Sequence, residues 1–146
     1  MTPQKKLANT LGAALDLVDR VPGMSPQQYG TALHHAFAAA VRLQAAMGGG
    51  NFDVETTFGA IDGQHYYGAK GSIRTDVILG NDIGDVVAIY DVKTGDAGLS
   101  ASRIRELRAK VGVGFNVPII QLSTRTGISI KSITLCNMDL MAARRI

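Results

Sequence analysis

Val86-Val87-Ala88-Ile89-Tyr90-Asp91-Val92-Lys93 is the stretch on which the reading of this chain turns. The continuous apolar run from Val86 to Tyr90 describes a strand covered on both faces. Such a strand sits inside a sheet with other layers packed above and below it. Asp91-Val92-Lys93 closes the run. Side chains alternate along a strand, so Asp91 and Lys93 share one face while Val92 points into the opposite layer. A charged pair at the end of a buried strand is costly to desolvate unless something compensates it.

Working outward, Ile73-Arg74-Thr75-Asp76-Val77-Ile78-Leu79 and a turn at Gly80-Asn81-Asp82 predict a strand paired with it through the Gly80–Gly84 turn. Upstream, Phe52, Val54, Thr56 and Phe58 alternate with Asp53, Glu55 and Thr57, the pattern of a strand with one buried face. A loop rich in glycine and polar residues, Gly59 to Gly71, separates these two. Downstream, a basic helix from about Ser100 to Val111 leads to a strand at Val117–Leu122. This strand–helix–strand step predicts a right-handed crossover between parallel strands. Ile128, Ile130 and Ile133 allow one more short strand.

The beginning of the chain has helical period. Leu7, Leu11, Leu15 and Val18 form one amphipathic helix that ends before Pro22-Gly23. A second opens on Ser25 as N-cap, Pro26 at the first helical position and Gln28 completing a capping box. Tyr29, Leu33, Phe37 and Val41 make its apolar stripe, and Gly48-Gly49-Gly50 stops it. The fold class is therefore α/β, a mixed central β-sheet flanked by helices. Residues 1–146 read as one domain, with 1–24 an N-terminal helix and 25–146 the core and tail.

Composition narrows the classes further. The 146 residues can bury one core without disulfides, and the single cysteine, Cys136, excludes a disulfide framework or multi-cysteine zinc site. No apolar stretch has the length of a membrane span, and the first residues lack the apolar core of a signal peptide. The net charge is +3, and it is unevenly spread: Arg103, Arg105, Arg108 and Lys110 face only Glu106 within one short segment. That arrangement suits a helix turned towards phosphates, with a solvated helix face as the plainer reading.

If the Asp76 and Asp91 strands form a hairpin, both aspartates reach one site. Two acidic oxygens with the Val92 carbonyl make a hard-oxygen set suited to magnesium or manganese, with zinc a further candidate. Lys93 beside the metal would orient or deprotonate an attacking water. The chemistry served is phosphodiester hydrolysis. Glu55, on a neighbouring strand, is the candidate third carboxylate, for the metal or for a bridging water. A structural ion pair is the competing reading of Asp91 and Lys93.

The arrangement Asp76…Asp91-Val92-Lys93 resembles the D…(D/E)xK core of the PD-(D/E)xK nuclease superfamily, a restriction-endonuclease-like sandwich. Tyr29–His34, Val54–Phe58, Gly71–Val77 and Ile89–Gly95 together look like nuclease domains of bacterial polymorphic toxins. Those are the C-terminal warheads of contact-dependent growth inhibition and related systems. The resemblance spans about residues 29 to 122. It implies a delivered effector acting in the target-cell cytoplasm and a cognate, acidic immunity protein as partner. DNA is the first expected substrate and tRNA the second. A catalytically silent nucleic-acid-binding module and a repair or restriction nuclease are the rivals. Two departures stand out: residues 25–47 hold no acidic residue where many members have one, and Thr75 replaces the consensus proline.

Other residues have weaker claims. Arg74, Arg103, Arg105 and Arg108 are the candidate backbone-binding cations, with Ser72 and Thr94 as flanking phosphate contacts. Gln121 is positioned to project towards the site. His34 and His35 point about 100° apart on a helix and do not share an ion easily, so one is expected in the core and the other in solvent. His65, beside Tyr66 and Tyr67, offers a stacking surface within an ordinary loop. Gly48-Gly49-Gly50 lacks the lysine and hydroxyl residue of a phosphate loop.

Overall fold

The computed structural model describes residues 1–59, 63–64 and 73–131. Ser72, His65, Tyr66, Tyr67, Ile133 and Cys136, each singled out above, lie outside the described residues. The first helix, α1, runs Pro3–Leu17, and α2 runs Pro26–Ala46. The capping box forms as expected: Gln28 N–H donates to Ser25 Oγ and Ser25 N–H donates to Gln28 Oε1. Among the described residues no helix is long and apolar enough to cross a membrane.

The sheet strands are β1 (Phe52–Val54), β2 (Thr57–Gly59), β3 (Gly63–Gln64), β4 (Ile73–Arg74), β5 (Val77–Gly80), β6 (Val86–Lys93), β7 (Ile119–Ser123) and β8 (Gly127–Ile130). Helix α3 (Ala101–Val111) joins β6 to β7, with Ser100 as its N-cap. Five strands form one mixed sheet in the order β1-β5-β6-β7-β8. The β5–β6 hairpin is antiparallel, and β6 runs parallel to β7 across α3, both as the sequence predicts.

Alternation along β6 divides the core into two layers. Ala88, Tyr90 and Val92 face α1 and α2, meeting Leu7, Leu11, Phe37 and Val41. Ile89 faces the other way, towards Ile104 and Leu107 of α3. Helices α1 and α2 thus cover one face of the sheet and α3 the other, which is why the run from Ala88 to Val92 is buried throughout. Each such apolar side chain stabilises the fold by roughly 1.5–3 kcal/mol.

Two expected strands are each broken in two. Residues 52–58 alternate as one strand would, yet Glu55 has φ 51°, in the left-handed region, and the chain bends there. The partner strand bends opposite, at Thr75 and Asp76. Glu55 N–H donates to the Asp76 carbonyl at 3.0 Å, and Thr75 N–H donates to the Thr56 carbonyl at 2.8 Å, so pairing continues through both bends. Beyond the bends β2 and β4 leave the main sheet and join β3 in a small sheet, order β3-β2-β4. Ile73 and Phe58 carry that small sheet onto the α3 side of the core. The expected loop between Gly59 and Gly71 contributes a strand of its own, β3.

Candidate active site

The bend between β4 and β5 is what places Asp76. Backbone pairing between β5 and β6 stops at Val77↔Tyr90, so β6 runs on past its neighbour. In the parallel ladder Ile89 turns its N–H, and Lys93 its C=O, towards the β7 side. Val92, in the alternate position, therefore offers its N–H and C=O on the open β5 side. The Asp76 carboxylate takes the first of these: Val92 N–H donates to Asp76 Oδ2 at 2.7 Å. His34 from α2 takes the second, with Nε2 3.1 Å from the Val92 carbonyl and 3.7 Å from Asp76 Oδ1.

On the face of β6 opposite to the Val92 side chain, Asp91 is 7% exposed. Lys93 Nζ lies 3.1 Å from its Oδ2, an ion-pair distance, yet off the line of a hydrogen bond, and that oxygen is buried without an aligned donor. Burial raises the Asp91 pKa above its ordinary value, and the nearby Asp76 charge adds to this against the lowering pull of Lys93 and Arg103. An acid held out of water beside a second carboxylate, with only an off-line ammonium on its buried oxygen, is a place that gains from a further cation.

These groups line one open cleft of about 360 Å³, where His34, Asp76, Asp91 and Lys93 meet Arg74 and Arg103. Thr94 also lines it. The structure therefore brings together Asp76, Asp91, Lys93, Arg74 and Arg103 from the sequence-derived set. It does not bring Glu55 there. Each of the two Glu55 carboxylate oxygens faces an arginine instead, Oε1 at 3.0 Å from Arg42 Nη2 and Oε2 at 3.2 Å from Arg74 Nη1. Among the described residues no three His, Cys, Asp or Glu side chains gather as a metal-holding group.

The basic helix also divides. Arg103 reaches the cleft and pairs with Glu106 at 2.7 Å. Arg105 is two residues on, about 200° around the helix, and is exposed on another side. Arg108, expected to face phosphate, is 7% exposed, stacks 4.8 Å from the Phe115 ring and points a terminal nitrogen at the Val117 carbonyl. Its stem and head serve packing beneath α3. Gln121, beside Asp91 in the β6–β7 register, spends its Oε1 on the Leu99 N–H at 2.8 Å. It fixes the approach to α3 rather than entering the cleft.

His34 is the site residue that sequence reasoning missed. His35 is exposed as expected, whereas His34 sits in neither core nor solvent but in the cleft. Its Nδ1 is 2.8 Å from the Gly30 carbonyl and its Nε2 faces the Val92 carbonyl. Both partners only accept, so both ring nitrogens carry protons and the ring is cationic. Its pKa is raised to about 9, first through the Asp76 carboxylate 3.7 Å away, against the lowering effect of burial.

Gly30 itself lets α2 approach this closely. A Cβ there would stand 2.8 Å from Thr94 Oγ1. Alanine in a helix gains about 0.5–1 kcal/mol over glycine, while a clash of this kind costs about 1–3 kcal/mol. Gly30→Ala is therefore expected to be neutral or destabilising alone and stabilising by about 1 kcal/mol in a Thr94→Ala background. Chemical denaturation of the four proteins of this cycle measures the coupling, and simple additivity would show that the contact is not tight.

No protein-family model matches the sequence, and no curated protein matches it. Among solved structures, a chain in the cryo-EM structure of a DrdV–DNA complex resembles it, with 17% sequence identity and a TM-score of 0.47. The resemblance covers 82% of this chain and 75% of that one.

Proposed function

We propose that this protein is a divalent-metal-dependent nuclease that hydrolyses phosphodiester bonds, with DNA the favoured substrate. The observation that carries the reading is Asp91, a buried carboxylate beside the Lys93 ammonium, facing Asp76 within a cleft rimmed by arginines. Asp76 and Asp91 would hold magnesium or manganese, with the Val92 carbonyl a further oxygen only through the lone pair that His34 leaves open. When bound, such an ion neutralises charge gathering on the phosphate and makes water a stronger acid.

The chain's own residues do the rest. Lys93, 3.1 Å from Asp91, would orient the attacking water as an ammonium or, once it has given up its own proton, take one from that water. Arg74 and Arg103 at the rim hold the phosphate backbone as charge-assisted donors. His34 keeps Asp76 and the end of β6 in register, since it touches both.

The polymorphic-toxin resemblance extends this to a delivered effector that acts in the cytoplasm of a target cell and is neutralised by an acidic immunity protein over the basic rim. A tRNA-cleaving toxin of the same fold is the alternative. The test incubates the protein with plasmid DNA and with total tRNA in magnesium, manganese or zinc, and again with chelator. Cleavage is expected with manganese or magnesium and is lost on chelation. Undiminished cleavage in chelator overturns the metal assignment; binding without cleavage under every metal leaves a silent binding module.

A further inference from the structure

Glu55 is the one acidic residue of the sequence-derived set that stands outside the cleft, and its surroundings describe a different task. Its backbone adopts a left-handed conformation that costs a side-chain-bearing residue about 1–2 kcal/mol. The bend that this conformation creates is where the β1–β2 ribbon leaves the main sheet, directly across from Asp76. From that bend the side chain, only 19% exposed, divides its two oxygens between Arg42 of α2 and Arg74 of β4. Both oxygens are thus spent on guanidinium groups. Arg74 lines the cleft beside Asp76 and Asp91. Arg42 is more open, with 56% of its side chain exposed.

We propose that Glu55 is a positioning residue rather than a metal ligand, and that it holds Arg74 and Arg42 as a two-guanidinium rail for the substrate's phosphate backbone beside the cleft. An arginine fork recognises phosphate through its plane, and a carboxylate behind it fixes that plane. A long arginine chain would otherwise sample many rotamers and meet the phosphate at an entropic cost. The rail supplies direction more than net charge, because Glu55 offsets one of the two positive charges it holds. The strained bend is consistent with this: it brings one side chain within reach of cations on two separate elements. The inference rests on the nuclease reading and refines it by separating the groups that hold phosphate from the groups that would hold metal.

The test compares wild type, Glu55→Gln, Arg74→Lys and Arg42→Gln as full chains. Manganese binding is measured by calorimetry, and single-turnover cleavage of a duplex is measured over a range of substrate concentrations. Glutamine is nearly isosteric with Glu55, and thermal midpoints establish that each variant is folded. The expected result is manganese affinity unchanged in Glu55→Gln, with the rate at saturating substrate lowered roughly 10- to 100-fold, as for a misplaced orienting group. Arg74→Lys should reproduce that loss, since lysine keeps the charge without the fork. Arg42→Gln should weaken binding and lessen its salt dependence by about one phosphate contact. A fall of roughly tenfold or more in manganese affinity in Glu55→Gln would make Glu55 a metal ligand and overturn the proposal. An unchanged saturating rate would overturn it equally. A wild-type chain that cleaves nothing defeats the nuclease reading, and this proposal falls with it; an active wild type with either adverse variant result defeats the proposal alone.

Discussion

Lys93→Met is expected to lower single-turnover cleavage of plasmid DNA by roughly 10²- to 10⁴-fold, the range over which a positioned proton-transfer group contributes. Methionine keeps the length and apolar bulk of the stem, so β6 should stay in place between Thr124 N–H, which donates to the Lys93 carbonyl, and the core. What is lost is the ammonium 3.1 Å from Asp91 Oδ2. Asp91 then has no adjacent cation on its own strand, and its carboxyl, already raised by burial and by Asp76, moves further up. The variant should therefore bind DNA through Arg74 and Arg103 nearly as well as wild type and cleave it far more slowly. Gel-shift titration in chelator and rapid-quench kinetics in manganese separate the two quantities. A variant that cleaves at the wild-type rate would reduce the Asp91–Lys93 pair to a structural ion pair.

That strand was the most legible part of the molecule, for a physical reason. An apolar run ended by a charged pair has one economical explanation, and the β5–β6 hairpin and β6–β7 crossover followed from turn and helix spacing. Periodicity reports which face a side chain takes, and it held from Ala88 to Val92, whereas Val87, within the run expected to be covered on both faces, is 38% exposed. It failed at Glu55, where one left-handed residue leaves the alternation of neighbours intact and yet swings the chain into another sheet. Glutamate does not announce such a conformation as glycine or asparagine would.

The basic helix shows the same limit. Counting charges located the segment, but only Arg103 faces the cleft, while Arg108 is drawn under Phe115 by the packing of its long stem. His34 escaped for a further reason: its role depends on Val92 having an open hydrogen-bonding edge, which is set by where β5 ends. No local sequence pattern carries that information.

His34→Gln is expected to remove an alkaline loss of stability from the metal-free protein. The sign follows from the direction of the shift. The His34 pKa is raised from 6.5 to about 9, so the folded state holds that proton more tightly than the unfolded chain. Its contribution is fully present below pH 6.5 and is lost as pH rises through about 9. With 30% of the side chain exposed, solvent screening reduces the contribution to about 1–2 kcal/mol. Asp91 acts with the same sign, because its raised pKa means that ionisation as pH rises above the ordinary carboxylate range weakens the fold. Thermal melts of chelator-treated protein at closely spaced pH values should fall between pH 6.5 and 9, and the His34→Gln protein should lack that part of the fall. Glutamine can still donate one hydrogen bond to the Val92 carbonyl, so loss of the fold itself is not expected. Equal slopes in both proteins would mean that His34 is not the titrating cation between α2 and Asp76. Manganese should raise the melting temperature most where Asp91 is ionised, since a ligand that binds only the folded state stabilises it by mass action. Metal-linked stability and pH-linked stability therefore report on the same buried pair from opposite sides, Asp91 gaining from a cation what burial took away.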